Sequence, residues 1–332
     1  MGRFVFTCGD INGIGPEILI KTINKLSSKK NTDKYTLIIP EKIFNLTSRI
    51  VEPTFEYKII RGITSVNHTD DIISVLDFKS GKQKYGRQTI DSGKAAYSAL
   101  KTSFDLLKKK LADAVITAPV SKTALRMAGI KYPGQTEMYA DWCKVKNFVM
   151  TFLSGELRVG LYSIHIPVKD VSSSINKKLL TSKLDTVIKM LKYDLGIKKP
   201  RIALLGLNPH AGENGIIGDE EKKVIEPVIN HKHFKGIIEG TFSSDAFFAG
   251  RRFKDYDLVF GLYHDQVLIP FKYINSGRGV NYSAGLPIIR TSPDHGTAYD
   301  IAGHGIADES SMIEAYNYAK FILRNRKKIN NG

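Results

Sequence analysis

Three histidines in this chain stand where chemistry can be done. His165 lies in Ser163-Ile164-His165-Ile166-Pro167, His210 in Leu207-Asn208-Pro209-His210-Ala211-Gly212-Glu213, and His264 in Tyr263-His264-Asp265-Gln266. Each follows a short apolar run of strand character, and in α/β folds sites are built at the carboxyl ends of strands. Three imidazoles with open positions suit a divalent metal that acts as a Lewis acid on substrate oxygens. A lone histidine is more often a packed or surface residue. Three at equivalent strand ends, two flanked by Asp265 or Glu213, point instead to a site.

Three further segments carry polar chemistry. Thr7-Cys8-Gly9-Asp10-Ile11-Asn12-Gly13-Ile14-Gly15-Pro16-Glu17 is a glycine-rich turn between a strand and a helix opened by proline. Such a turn either brings backbone N–H groups to a ligand or is a purely structural tight turn, and its spacing is neither GxGxxG nor GxxxxGK[ST]. From Lys272 through Gly277-Arg278-Gly279-Val280-Asn281 to Arg290-Thr291, cationic and amide side chains among glycine turns form a candidate phosphate or carboxylate site. The loop Asp294-His295-Gly296-Thr297-Ala298-Tyr299-Asp300-Ile301-Ala302-Gly303 adds a carboxylate able to bind a ribose diol and repel a 2′-phosphate, which favours NAD over NADP.

The elements that position these groups follow from periodicity. Strands are predicted at Phe4-Val5-Phe6, Tyr35 to Ile39, Ala114 to Thr117, Phe148 to Leu153, Leu157 to Tyr162, Arg201 to Leu205 and Asp257 to Phe260. Helices fit Pro16 to Lys25, Ser92 to Lys110 with Ser92 as N-cap, Leu179 to Leu195, and Ser310 to Arg326. The alternation implies α/β architecture with a largely parallel sheet. No Pro/Gly/Ser-rich linker marks a boundary, so a two-domain division must be tightly packed or interleaved. The basic tail from Arg326 is expected to fray.

Composition narrows the function classes. The 332 residues, 42% of them apolar, can bury a sizeable core. No apolar run approaches the roughly 18 residues a membrane span needs, and MGRFVFTCGD does not read as a secretory signal, so a cytoplasmic protein is expected. Cys8 and Cys143 read as buried thiols rather than a disulfide framework. The net charge of +16 fits nucleic acid, anionic membrane or acidic small substrates. Its lysines are scattered, as in Lys108-Lys109-Lys110 and Lys177-Lys178, without an aromatic ladder. They read as solvated faces, with neither nucleic acid nor membrane as partner.

Taken together the motifs resemble the 4-hydroxythreonine-4-phosphate dehydrogenase family. The match runs nearly end to end, through Gly13-Ile14-Gly15-Pro16-Glu17, Ile116-Thr117-Ala118-Pro119-Val120-Ser121-Lys122, Gly206 to Glu213, Tyr263 to Gln266, Gly277 to Asn281, and Asp294 to Ala298. The last segment also looks like the adenosine-binding loop of isopropylmalate and isocitrate dehydrogenases. The resemblance implies two interleaved α/β/α domains of that fold with a cleft between them. Residues 1–120 plus 274–332 would form a first domain carrying the NAD loop, and 121–273 a second, dimerising domain with the metal ligands.

The resemblance further implies a single divalent metal on His165, His210 and His264, zinc foremost with magnesium, manganese or cobalt as alternatives. His264 would come from the second subunit of a homodimer with a shared site. Gln135, Thr136, Lys272, Asn281 and Arg290 would hold the substrate, a phosphorylated hydroxy amino acid. His295, Gly296, Thr297, Ala298 and Asp300 would hold NAD, and Lys272 and Asp245 would act in catalysis. The implied reaction is oxidation of 4-phosphooxy-L-threonine at its 3-hydroxyl and loss of CO2, giving 3-amino-2-oxopropyl phosphate for pyridoxal 5′-phosphate (vitamin B6) biosynthesis.

One departure bears on the substrate. Where the family has Gly-His-Thr-Glu, this chain has Gly134-Gln135-Thr136-Glu137, and an amide cannot carry a proton's charge near pH 7. The alternative reading keeps the chemistry and changes the substrate to 4-phosphoerythronate or another 3-hydroxy or diol acid. A nucleic-acid-binding protein on a dehydrogenase scaffold is the distant alternative from another class; its motive is charge alone.

Overall fold

The computed structural model describes residues 1–28, 32–67, 72–275 and 277–330. The chain forms two compact units, one of Met1–Lys144 with Pro287–Arg324, the other of Val145–Leu286 with the chain from Asn325 onward. Residues 121–144 therefore pack with the first unit and 274–286 with the second, on the opposite sides of the borders expected at 120 and 274.

In the first unit, β1 (Arg3–Thr7), β2 (Lys34–Ile38), β3 (Tyr57–Arg61), β4 (Ile73–Asp77), β5 (Ala114–Thr117) and the late-returning β12 (Arg290–Pro293) lie in the order β3-β4-β2-β1-β5-β12. All neighbours are parallel. β1 has β2 on one side and β5 on the other, so strand order reverses at its carboxyl end, the position where open α/β sheets build sites. The helix Gly15–Ser27 leaves that end with Pro16 in its first turn and buries Ile18, Leu19, Ile23 and Leu26. The helix Ile90–Lys108 is capped by Thr89, not Ser92. Thr89 Oγ1 accepts the Ser92 amide at 3.0 Å and Ser92 Oγ accepts the Thr89 amide at 3.2 Å, a capping box three residues ahead of the expected cap.

The second unit holds a mixed sheet of β6 (Val149–Leu153), β7 (Arg158–Leu161), β8 (Ile202–Leu205), β9 (Ile238–Phe242), β10 (Leu258–Gly261) and β11 (Val280–Ala284), in the order β11-β6-β7-β10-β8-β9. β6 is antiparallel to both β7 and β11; β7, β10, β8 and β9 are parallel. The expectation of a largely parallel sheet thus holds for the first unit and is corrected in the second. The core of this unit joins Phe152, Val159, Leu205, Phe247, Phe253, Val259 and Phe271; truncating Phe271 to alanine would cost about 3–5 kcal/mol.

β11 was expected as a glycine-flanked binding loop. It pairs as a strand because its polar residues are satisfied from afar. The buried Tyr282 hydroxyl donates to Asp194 Oδ2 at 2.6 Å, and Arg326 donates to Asp194 Oδ1 at 2.7 Å and to the Tyr282 oxygen at 3.0 Å. The same bonds correct the tail: the helix Ser310–Asn330 runs past Arg326, which is anchored rather than frayed. Residues 331–332 lie outside the described residues. Of the two thiols, Cys8 is buried and Cys143 only half-buried.

Candidate active site

Arg290 is the centre of a polar cluster in the first unit. Its β12 position lies beside Val115 of β5, and its side chain is only 2% exposed. Nε and Nη2 donate to Thr117 Oγ1 at 3.1 and 3.0 Å, Nη1 to Thr136 Oγ1 at 3.3 Å, and Nη2 to Gln135 Oε1 at 3.1 Å and Ser292 Oγ at 3.0 Å. Gln135 opens the helix Gln135–Trp142 and is itself fixed, donating to the Ala118 carbonyl at 3.1 Å. Burial lowers the guanidinium to about 10, so it stays charged at neutral pH. A buried, pre-oriented cation fork is suited to an anionic oxygen. Gln135, Thr136 and Arg290 are therefore brought together as expected, while Thr117 and Ser292 were missed. Thr117 stood in the Ile116-to-Lys122 motif, a signal that was available.

Asn281 and Lys272 belong to the second unit. Asn281 sits on β11 opposite Phe152. Lys272, read as part of a glycine-rich loop, is exposed on the helix His264–Asn275. It lies eight residues past His264, roughly 12 Å along the helix axis.

The histidines emerge from strand ends of the second unit. The Tyr162 amide donates to the Gly261 carbonyl and Ser163 Oγ to the Leu262 carbonyl, which ties the chain after β7 to the chain after β10. His165 and His264 consequently face one another, ring centres 6.2 Å apart, over a recess of about 260 Å³ that Ser163, Ile166, Val168 and Asp265 also line. Asp265 Oδ1 holds His264 Nδ1 at 2.6 Å and leaves Nε2 to face outward, the arrangement metal-binding histidines use.

His210 sits apart from that pair. Among the described residues no three His, Cys, Asp or Glu side chains are grouped to hold a metal ion. His210 to Asn214 all have positive φ, between 43° and 82°, a strained run that persists only when its surroundings over-determine it. Buried Glu221 anchors the chain just ahead of the run, accepting the Leu207 and Asn208 amides and the Asn208 side chain at 2.8 Å each. Asp245, on the helix Ser244–Ala249, is held below the usual carboxylate range by the Ser243 hydroxyl at 2.5 Å, then the Ala246 amide and, more weakly, the His210 imidazole.

In the loop after β12, His295 Nδ1 lies 3.0 Å from the Gly296 carbonyl, while Nε2 is buried without a hydrogen-bond partner. That orphaned nitrogen fits a polar group of a ligand such as a nucleotide. Thr297 and Ala298 follow, Ala298 with φ of 41°, and Asp300 is exposed. The glycine-rich turn, by contrast, is packed against protein: a Cβ at Gly15 would lie 2.1 Å from the Cys8 carbonyl, and one at Gly13 would lie 2.6 Å from that of Thr297. Of the two readings left open for it, the structural one describes these glycines.

The chain is 40% identical over 329 residues to a 4-hydroxythreonine-4-phosphate dehydrogenase of Sulfurihydrogenibium sp. (strain YO3AOP1), covering 98% of this chain and all of that one. The crystal structure of the enzyme of that name from Klebsiella pneumoniae superposes with a TM-score of 0.82 at 33% identity, covering 97% of this chain and 98% of that one. Isocitrate dehydrogenase from Methylococcus capsulatus, at 13% identity, TM-score 0.52, and 100% and 89% coverage, shares the fold alone, in line with the expected architecture. Residues 31–319 match the profile of the pyridoxal phosphate biosynthetic protein PdxA, and with that span and these identities the chain belongs to the PdxA family.

Proposed function

We propose that the protein oxidises 4-phosphooxy-L-threonine at C3 with NAD and releases CO2, yielding 3-amino-2-oxopropyl phosphate and NADH in pyridoxal 5′-phosphate biosynthesis. The observation that carries this reading is the buried Arg290 fork with Thr117, Thr136, Gln135 and Ser292 around it, in a chain whose relatives bear that enzyme's name. The fork takes an anionic group of the substrate, and Asn281 and Lys272 complete its binding. His295, Gly296, Thr297, Ala298 and Asp300 hold the adenosine half of NAD.

His165, His210 and His264 hold one divalent metal, and zinc suits three imidazoles best. When bound, NAD supplies the hydride acceptor and the metal a Lewis acid at the reacting oxygen. Asp265 keeps His264 oriented. Asp245, ionised at neutral pH, would accept the hydroxyl proton, and the Lys272 ammonium would donate to oxygen as CO2 departs.

A second copy of the chain completes the site by contributing His264. The helix that begins at His264 leaves Ile269 66% and Tyr273 88% exposed, and Ile216 beyond His210 is 82% exposed, apolar surface that a homodimer would cover. Among the described residues no helix is long and apolar enough to cross a membrane, and the reaction is assigned to the cytoplasm, in keeping with two unpaired thiols.

NADH formation from authentic 4-phosphooxy-L-threonine tests the reading, with 4-phosphoerythronate and unphosphorylated hydroxy acids in parallel. Turnover of the first compound alone is expected. Turnover of 4-phosphoerythronate alone would favour the rival that Gln135 motivates, and turnover only of unphosphorylated acids would sink the Arg290 assignment.

A further inference from the structure

Two carboxylates of the glycine-rich turn are fully buried, Asp10 and Glu17, and neither is assigned a role by the chemistry above. Both face the loop after β12 within the first unit. The Tyr299 hydroxyl donates to Asp10 Oδ2 at 2.8 Å. The Gly305 amide donates to Glu17 Oε2 at 2.9 Å, and the Gly303 amide to Glu17 Oε1. Between them the Ile14 amide donates to the Thr297 carbonyl at 3.0 Å, an approach that Gly13 permits because any Cβ there would strike that carbonyl.

Asp10 is in turn anchored to elements on its other side. Its Oδ1 accepts the Asn12 amide at 2.9 Å and its Oδ2 the Ser92 hydroxyl at 3.1 Å. The turn is thus a template, and residues 297–305 are fastened to it at both ends and in the middle. Burying two carboxylates is unfavourable unless donors compensate them, so removing a donor leaves a charge that the loop must move to solvate. Loop shape and these acids are therefore coupled.

We propose that Asp10 and Glu17 are positioning residues for the cofactor, holding the 297–305 loop in the form that receives the adenosine half of NAD. The proposal rests on the assignment of that loop to NAD. It recasts Gly13-Ile14-Gly15-Pro16-Glu17 as a clamp on the cofactor loop.

The test compares the full-length enzyme with its Tyr299→Phe and Glu17→Gln variants, using NAD titration, steady-state kinetics and hydrogen exchange without any ligand. Tyr299→Phe removes one hydroxyl and is the variant that keeps the test valid should Glu17→Gln fail to fold. For Tyr299→Phe the expectation is a rise of about ten-fold in the Kd and KM for NAD, as when the competent loop form falls to about a tenth of the population. The KM for the phosphorylated substrate and kcat at saturating NAD stay the same, and amide exchange quickens within 297–305. His295→Ala and Asp300→Ala serve as controls for the loop assignment. If these controls bind NAD as tightly as the wild type, the assignment and the inference both fall. If they weaken NAD while Tyr299→Phe and Glu17→Gln do not, the assignment stands and the inference alone is overturned. Equal losses for NAD and substrate, with exchange quickened throughout the first unit, would reduce the clamp to a general structural role and also overturn it.

Discussion

The Arg290 guanidinium donates twice to a single hydroxyl, that of Thr117, with Nε at 3.1 Å and Nη2 at 3.0 Å, across 173 residues of sequence. The parallel register of β12 on β5 makes this meeting possible. Thr117 fixes the plane of the fork and so fixes the direction in which its remaining N–H groups point.

If that orientation matters for binding an anion, Thr117→Val should raise the substrate KM about ten-fold while leaving kcat within about two-fold, because a charge-assisted hydrogen bond is worth roughly 1.5–3 kcal/mol. Arg290→Lys should lose more, about a hundred-fold, since an ammonium cannot reproduce the fork. Steady-state kinetics, with inorganic phosphate protection in thermal melts as a second readout, decides it. Full activity in Arg290→Lys would exclude bidentate recognition.

Gln135 touches the same guanidinium through Oε1, and its amide does not titrate. Substrate KM should therefore be flat between pH 5.5 and 7.5 as far as this residue is concerned. Gln135→His should add a dependence: the introduced imidazole, when protonated, attracts an anionic substrate, so affinity falls as pH rises through its pKa. Beside Arg290 that pKa should lie below the ordinary value of about 6.5. Parallel KM profiles for the two proteins would show that this position does not face the substrate.

Asp265 orients His264 at 2.6 Å. Asp265→Asn keeps the shape but weakens the hold on the ring, and a loss of about 10–100-fold in zinc affinity is expected. Chelator competition measures this, with circular dichroism as the check on folding. Unchanged affinity would remove His264, or its partner, from the metal site.

Burial lowers the Lys183 ammonium to about 8 from 10.5, with Nζ 3.3 Å from the Phe148 carbonyl. Between those two pH values the unfolded chain holds the proton more tightly than the folded one. Stability contributed by this residue therefore rises with pH across the window, and below pH 8 the burial penalty is fully present. Lys183→Met should be more stable than the wild type at pH 7, and the difference should shrink toward pH 10.5 by at most about 3 kcal/mol, less where solvent reaches the amine. Denaturant melts at pH 7 and 10 give the comparison; identical pH slopes would contradict it.

Local sequence carried a large part of this. The strands around Phe4-Val5-Phe6, Ala114 to Thr117 and Arg201 to Leu205, and the helices after Gly15 and Ser310, were legible because apolar spacing alone sets their period. The candidate chemical groups were legible too, since imidazole, guanidinium and carboxylate side chains can be read directly. β11 was not legible: Tyr282 and Ser283 are polar, and only Asp194 and Arg326, far away in the chain, make burying Tyr282 favourable. The left-handed run from His210 was equally hidden, and Glu221, 13 and 14 residues on, anchors the chain just ahead of it.

What the sequence determined by itself was which groups exist and which short segments carry them. Tertiary structure alone decided which groups meet. Asp10 and Tyr299 stand 289 residues apart and 2.8 Å from one another. The free energy of such a contact comes from shared desolvation and mutual hydrogen bonding, which no window of neighbouring residues contains.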